Sequence, residues 1–225
     1  MMMQRLLAIG LTAVLTLGVS VPVCIDVAGY YTEPAITICQ TDPTLLTNEQ
    51  LLELAITAPA ITDTRSAVTM NNRRMTEAEI FVWSDEYWLL GGINDFELEV
   101  IRLINMEREA VGLPPLAINP QLFMAARFHS QEMADLQFFA HRSDIYGRST
   151  ARATLFGHEN QQEGFFGIGE NIHGGAFTPE RVLLGWMRSD GHRRALLDPD
   201  ALTIGVGSVR INDEGMGRTT AKFGF

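Results

Sequence analysis

Apolar positions recur at helical spacing over a long stretch of the chain. In "NDFELEVIRLINMEREAVGLPP", Phe96, Val100, Leu103, Ile104 and Val111 fall on one helical face. Asn94 stands as N-cap with Glu97 three residues on, and Gly112, Pro114 and Pro115 stop the helix. A second helix opens in "NPQLFMAARFHSQEMADLQFF", with Asn119 as cap and Pro120 in its first turn. Its buried stripe reads Leu122, Ala125, Ala126, His129, Met133 and Leu136. On that stripe His129 is a core histidine with one hydrogen-bond partner, because buried polar groups find partners. "RSTARATLF" gives a shorter helix ended by Gly157, and "TPERVLLGWMRS" one capped by Thr178. "DGHRRALLDP" reads as a turn and one further helical turn. "LTIGVGSVRI" and "MGRTTAKFGF" flank the turn "NDEG" as a β-hairpin. Helices around a small terminal sheet predict an α+β, α–β–α layered fold.

Before Asn94 the periodicity weakens. Residues 21–94 read as a partly ordered N-terminal arm, and 95–225 as the main domain. The arm holds two capping boxes, Thr47 with Gln50 and Thr76 with Glu79. Its aromatics Phe81, Trp83 and Trp88 are expected to pack on the main domain. Residues 1–20 read as a secretory signal peptide: Arg5 precedes the apolar run 6–19, and Gly18 and Ser20 are the small residues before a cut at Val21. The run is too short to span a bilayer comfortably, and no later segment resembles a membrane span. An uncleaved anchor is the other reading of this pattern. The expected location is therefore secreted or attached to the cell envelope. Cys24 and Cys39 are the only cysteines, and an even pair in an exported chain is expected as a disulfide. A lipoprotein would acylate Cys24, but "VPV" lacks the small residue such a signal wants before its cysteine.

Charge narrows the partners. The 225 residues carry a formal charge of −10, which argues against nucleic acid, where basic patches are expected. Apolar content of 46% is that of a globular chain, long enough for one main domain and an appendage. The basic residues are all arginine except Lys222.

The familiar catalytic signatures GxSxG, HExxH, the P-loop and CxxC are absent. What remains is a set of isolated polar residues beside glycines or at helix ends: His141, Glu170, Ser189, Asp190 and His192. Glu170 and His173 stand in "GENIHGG", which reads as a glycine-rich loop able to bring ionisable groups to a cleft.

"FFAHRS", "GENIHGG", "GWMRSDGHRRALLDP", "IGVG" and the closing "KFGF" fall in an order that resembles a bacterial member of the CAP superfamily. This is the SCP domain of cysteine-rich secretory proteins, antigen 5 and plant pathogenesis-related proteins. The resemblance covers about residues 95–225. It implies an α–β–α sandwich with a small central antiparallel sheet and a cleft lined by two histidines and two acids. Carried over, these are His141, Glu170 and His192; the second acid falls on Ser189, so that carboxylate is missing. Asp190 is adjacent but about 100° round the helix. "GHEN" is a decoy that leaves His158 and Glu159 on a surface loop, and His173 is expected at the cleft rim or exposed. The chain also lacks the domain's internal disulfides and any counterpart of the eukaryotic sterol-binding loop.

Two functions follow for that cleft. The first is a secreted binding or envelope-associated module, without turnover, for a small ligand, a peptide or an envelope component. The second is an extracellular, peptidase-like hydrolase with Ser189 and His192 as catalytic candidates, since residues at i and i+3 meet on one helical face. His141, His192 and Glu170 could equally hold zinc or another divalent cation with a fourth position open, or simply satisfy one another by hydrogen bonds.

Overall fold

The computed structural model describes residues 65–89, 92–158, 167–176, 178–212 and 215–225, and the backbone of two short strands, β1 (Val23–Ile25) and β2 (Ile38–Gln40). The chain divides into two units, Met1–Leu45 and Leu46–Phe225. In the first, β1 and β2 pair antiparallel with Cys24 directly opposite Cys39. The cysteine side chains, the signal sequence, the Thr47 capping box and Glu159 lie outside the described residues.

In the second unit the capping signals set the helices. Helix α1 (Glu77–Leu89) starts where Glu79 N–H donates to the Thr76 hydroxyl and Thr76 N–H donates to Glu79. Helix α2 (Asp95–Ala110) begins with the full Asn94–Glu97 capping box, and Gly112 follows its end at φ +79°. After β3 (Ala117–Ile118) comes α3 (Pro120–Asp135), capped by Asn119, then α4 (Ser149–Leu155). Strand β4 (Gly169–Ala176) leads to α5 (Pro179–Met187), capped by Thr178, and α6 (Asp190–Leu196). The expected hairpin is β5 (Thr203–Arg210) and β6 (Met216–Gly224).

The strands form one sheet in the order β3-β5-β6-β4. It is not wholly antiparallel: β3 runs parallel to β5, because four helices and β4 intervene between them, and a long crossover permits a parallel pair. "GENIHGG" is a strand rather than a loop. Its residues pair with β6 from Gly169↔Phe223 to Gly175↔Gly217, so tertiary pairing overrides the low strand propensity of glycine. Its glycines admit neighbours instead: a Cβ on Gly174 would lie 3.0 Å from the Phe139 ring.

One sheet face, with Ile204, Val206, Ala221 and Phe223, packs against Val100 and Ile104 of α2 and Val182 and Trp186 of α5. The other lies against α3, and "IGVG" explains how closely. A Cβ on Gly205 would stand 2.2 Å from Leu122 backbone, and one on Gly207 1.9 Å from the Arg127 nitrogen. Helix α3 is buried on more than the expected stripe: Arg127, Phe128, Gln131 and Glu132 are covered as well. Residues 65–89 supply that cover. Trp83 is 1% exposed, meets Phe128 edge-on at 5.2 Å between ring centres, and donates from Nε1 to Gln131. The Gln131 amide in turn donates to the Ser66 and Val68 carbonyls. Of the other arm aromatics, Trp88 packs at the margin of this cluster and Phe81 is exposed.

Candidate functional site

Strand β4 forms one edge of the sheet, and the site is built across that edge. Glu170 on β4 stands opposite Lys222 on β6, so both side chains leave the same face, towards α3 and α4. Arg152 of α4 meets them there. The Glu170 side chain is 4% exposed and both its oxygens are engaged. Oε2 accepts from Lys222 Nζ at 2.6 Å and from Arg152 at 2.8 Å; Oε1 accepts from Arg152 at 3.1 Å and lies 3.1 Å from Nδ1 of His141. Burial pushes the Glu170 carboxyl up, but Lys222, His141, His129 and Arg152 outweigh it and hold it well below the usual carboxylate range. Burial also lowers the Lys222 ammonium to about 8 against the opposing pull of Glu170.

The cluster continues beneath. Lys222 donates to the Ser149 hydroxyl at 2.9 Å. His129 is fully buried, with Nε2 3.1 Å from the Ala140 carbonyl and 3.9 Å from Glu170, and Nδ1 3.2 Å from Glu132. Burial lowers its pKa, with Glu132 opposing. Glu132 also accepts from the Ser143 hydroxyl, which receives the Ile145 and Tyr146 amides. These bonds fix the turn that carries His141. The Arg152 guanidinium fixes it too, donating to the carbonyls of His141 and Gly147.

His141 is 54% exposed and faces His192 across the strand, with ring centres 6.3 Å apart. His192 arrives from the opposite layer on α6. Burial, and then His141, lower its pKa. The residue after Glu170 places it: Asn171 points to the other side of β4 and donates to the His192 carbonyl at 3.0 Å, while Trp186 of α5 donates to the Ile172 carbonyl at 3.1 Å. The "ENI" of the motif thus ties both layers to the edge strand.

The remaining residues singled out from sequence lie differently. Ser189 is the N-cap of α6 without a side-chain capping bond, and among the described residues nothing hydrogen-bonds its hydroxyl. Among the described residues no hydrogen bond joins the Ser189 hydroxyl to His192, which stands three residues on in the first turn of α6. Asp190 is exposed and pairs with Arg193. His173 is half-buried against α5, where a Cβ on Gly185 would come 3.0 Å from its ring. His158 is half-buried and its pKa is lowered by that burial.

Among the described residues no group of three His, Cys, Asp or Glu is placed to hold a metal ion. The reason is visible at Glu170: its oxygens already face two cations and an imidazole nitrogen.

Sequence reasoning missed Arg152, Lys222 and the His129–Glu132–Ser143 chain. Lys222 carried a usable signal, as the single lysine, set between Ala221 and Phe223 in an apolar strand.

Comparison with known proteins agrees with this architecture. The chain is 40% identical over 117 residues to the uncharacterized protein YkwD of Bacillus subtilis, covering 52% of this chain and 44% of that one. It is 33% identical over 127 residues to the uncharacterized membrane protein YlbC of the same organism, covering 56% and 35%. It therefore spans less than half the length of either relative. An extracellular protein containing a SCP domain from Bacillus anthracis superposes with a TM-score of 0.50 at 24% identity, over 68% of this chain and 45% of that one, which speaks for the fold. The profile of the cysteine-rich secretory protein family matches residues 101–221, more than half of the chain, so the protein belongs to the CAP family.

Proposed function

We propose that the chain is an extracellular binding module that holds a small ligand, a peptide or an envelope component against the His141–His192 pair, without covalent turnover. The observation that carries this reading is the state of Glu170. A carboxylate held ionised by Arg152 and Lys222 is a poor general acid, a poor base and a poor nucleophile. Among the described residues the Ser189 hydroxyl is hydrogen-bonded to no base. The groups left facing outward are two imidazoles, which suit hydrogen bonding in either protonation state. The export pattern at residues 1–20 supports an extracellular setting, and among the described residues no helix is long and apolar enough to cross a membrane.

The His141–His192 pair also favours weak divalent-cation binding as a second reading. There the imidazoles ligate, and Glu170 orients His141 through Nδ1 from outside the ligand set. A serine-directed fluorophosphonate separates binding from hydrolysis. The expected result is no labelling; labelling that Ser189→Ala abolishes would establish the hydrolase. Zinc calorimetry separates the second reading. Heat lost in both His141→Ala and His192→Ala but kept in His158→Ala would show a two-imidazole site.

A further inference from the structure

The turn that carries His141 is also held by residues far earlier in the chain. Within the turn, Ser143 and Gly147 exchange backbone bonds at 2.9 and 3.0 Å, and Gly147 takes φ +73°. Tyr146 belongs to the same turn, but its side chain enters the apolar cluster of Met70, Met75, Trp83 and Tyr87 and is 4% exposed. There its hydroxyl accepts the Met75 N–H at 2.8 Å, a bond across 71 residues of sequence. The Arg74 guanidinium lies 5.4 Å from the centre of the Tyr146 ring. Phe128 of α3 meets Tyr146 edge-on at 4.8 Å and Trp83 edge-on at 5.2 Å, so the turn and the cover bear on one ring.

Met75 is fixed on its own side. Helix α1 starts two residues on, and the Glu79 carboxylate takes both Arg73 and the Thr76 N–H. A buried backbone N–H needs an acceptor, and the Tyr146 hydroxyl is the one it meets. Met75 lies outside residues 101–221, which the family profile matches, whereas Tyr146 lies inside them. The bond therefore couples an element outside the matched domain to the turn that carries a cleft histidine. His141 needs such support. Its side chain is 54% exposed, and the approach of Nδ1 to Glu170 at 3.1 Å orients its ring. An exposed ring keeps that contact only while its backbone stays in place beside β4.

We infer that Tyr146 is a positioning residue for His141: residues 73–76, bonded to its hydroxyl, hold the turn 141–147 so that Nδ1 of His141 stays against Glu170. The consequence for ligand binding rests on the reading of the histidine pair as the ligand site; the positioning itself does not.

The test follows the His141 imidazole by NMR in the full-length 15N-labelled chain at about pH 7.5, assigned with His141→Ala. A neutral ring nitrogen that faces an ionised carboxylate carries the proton, so wild-type His141 is expected as the Nδ1–H tautomer. Tyr146→Phe keeps the ring and removes the acceptor. It is expected to move His141 towards the Nε2–H tautomer, to leave the His158 signals in place, and to speed exchange of the Met75 amide at least about tenfold. Asn94→Ala, which removes the cap of α2, controls for a general loss of stability and is expected to leave the His141 tautomer unchanged. An unchanged tautomer in Tyr146→Phe, or the same change in Asn94→Ala, would overturn the inference. The wild type alone can overturn it too, through a Met75 amide that exchanges as fast as an exposed one or a His141 already in the Nε2–H form. None of these readouts involves a ligand, so a histidine pair that binds nothing would sink the binding reading and leave the positioning result standing.

Discussion

Replacing Glu170 with Gln removes one negative charge and leaves two buried cations facing an amide. The wild-type carboxylate accepts from Lys222 at 2.6 Å and from Arg152 at 2.8 and 3.1 Å, and both cations are fully buried. Breaking a buried ion pair by removing one partner costs about 3–5 kcal/mol, because the charge left behind stays desolvated. In a chain of this size that corresponds to a fall in Tm of roughly 6–20 °C. Adding Lys222→Met to Glu170→Gln removes one stranded cation, so the double variant should be more stable than Glu170→Gln alone. The sign of the pH dependence follows from the lowered Glu170 pKa. A carboxylate with a folded pKa below its unfolded value contributes stability that is fully present above about pH 4.3. That contribution is lost as pH falls through the folded value. Urea unfolding followed by tryptophan fluorescence should therefore show a wide gap between wild type and Glu170→Gln at pH 7 that narrows below about pH 4. A loss under about 1 kcal/mol at pH 7, or a gap that does not change with pH, would refute the reasoning.

Two further outcomes are expected. Trp83→Ala should cost about 3–5 kcal/mol, whereas Phe81→Ala, on an exposed position of the same helix, should stay within about 0.5 kcal/mol; equal effects in urea unfolding would contradict the packing of residues 65–89. Exported protein should carry a Cys24–Cys39 disulfide, since residues directly opposed in an antiparallel pair bring their Cα atoms to about 4.5–5.5 Å, within disulfide reach. Intact mass decides it, with two free thiols or a diacylglycerol on Cys24 as the contrary results.

The parts of the fold that rest on local chemistry were legible in the sequence. The Asn94–Glu97 box, the Asn119–Pro120 and Thr178–Pro179 starts, the stop at Gly112 and the terminal hairpin all follow from residues within a few positions of one another. What was not legible depends on partners distant in the chain. "GENIHGG" looks like a loop until β6 supplies its ladder. Residues 65–89 look like an arm because the cover over Phe128 and Gln131 consists of contacts 45 to 65 residues apart in sequence, with little periodicity of their own. At the site, His141, Glu170 and His192 could be named from the family resemblance, but not the condition of Glu170. That condition is set by Arg152 and Lys222, which no short motif joins to it. Glu97 shows the same limit on a smaller scale: it reads as half of a capping box, and the fold also uses it to neutralise Arg127 and to accept the Ser208 amide.

The central claim is that Glu170 is an ionised anchor beneath the histidine pair rather than a reactive group or a ligand. Its side-chain carboxyl carbon can be followed by NMR from pH 7 to pH 3 in protein labelled with 13C-glutamate and assigned by comparison with Glu170→Gln. The expected result is a carboxyl signal that remains in its ionised position at pH 4, where exposed glutamates are already titrating, and that titrates at higher pH once Lys222 is replaced with Met. A Glu170 that titrates at or above the ordinary carboxylate range in the wild type would contradict the account and return the carboxylate to the cleft as an acid, a base or a ligand.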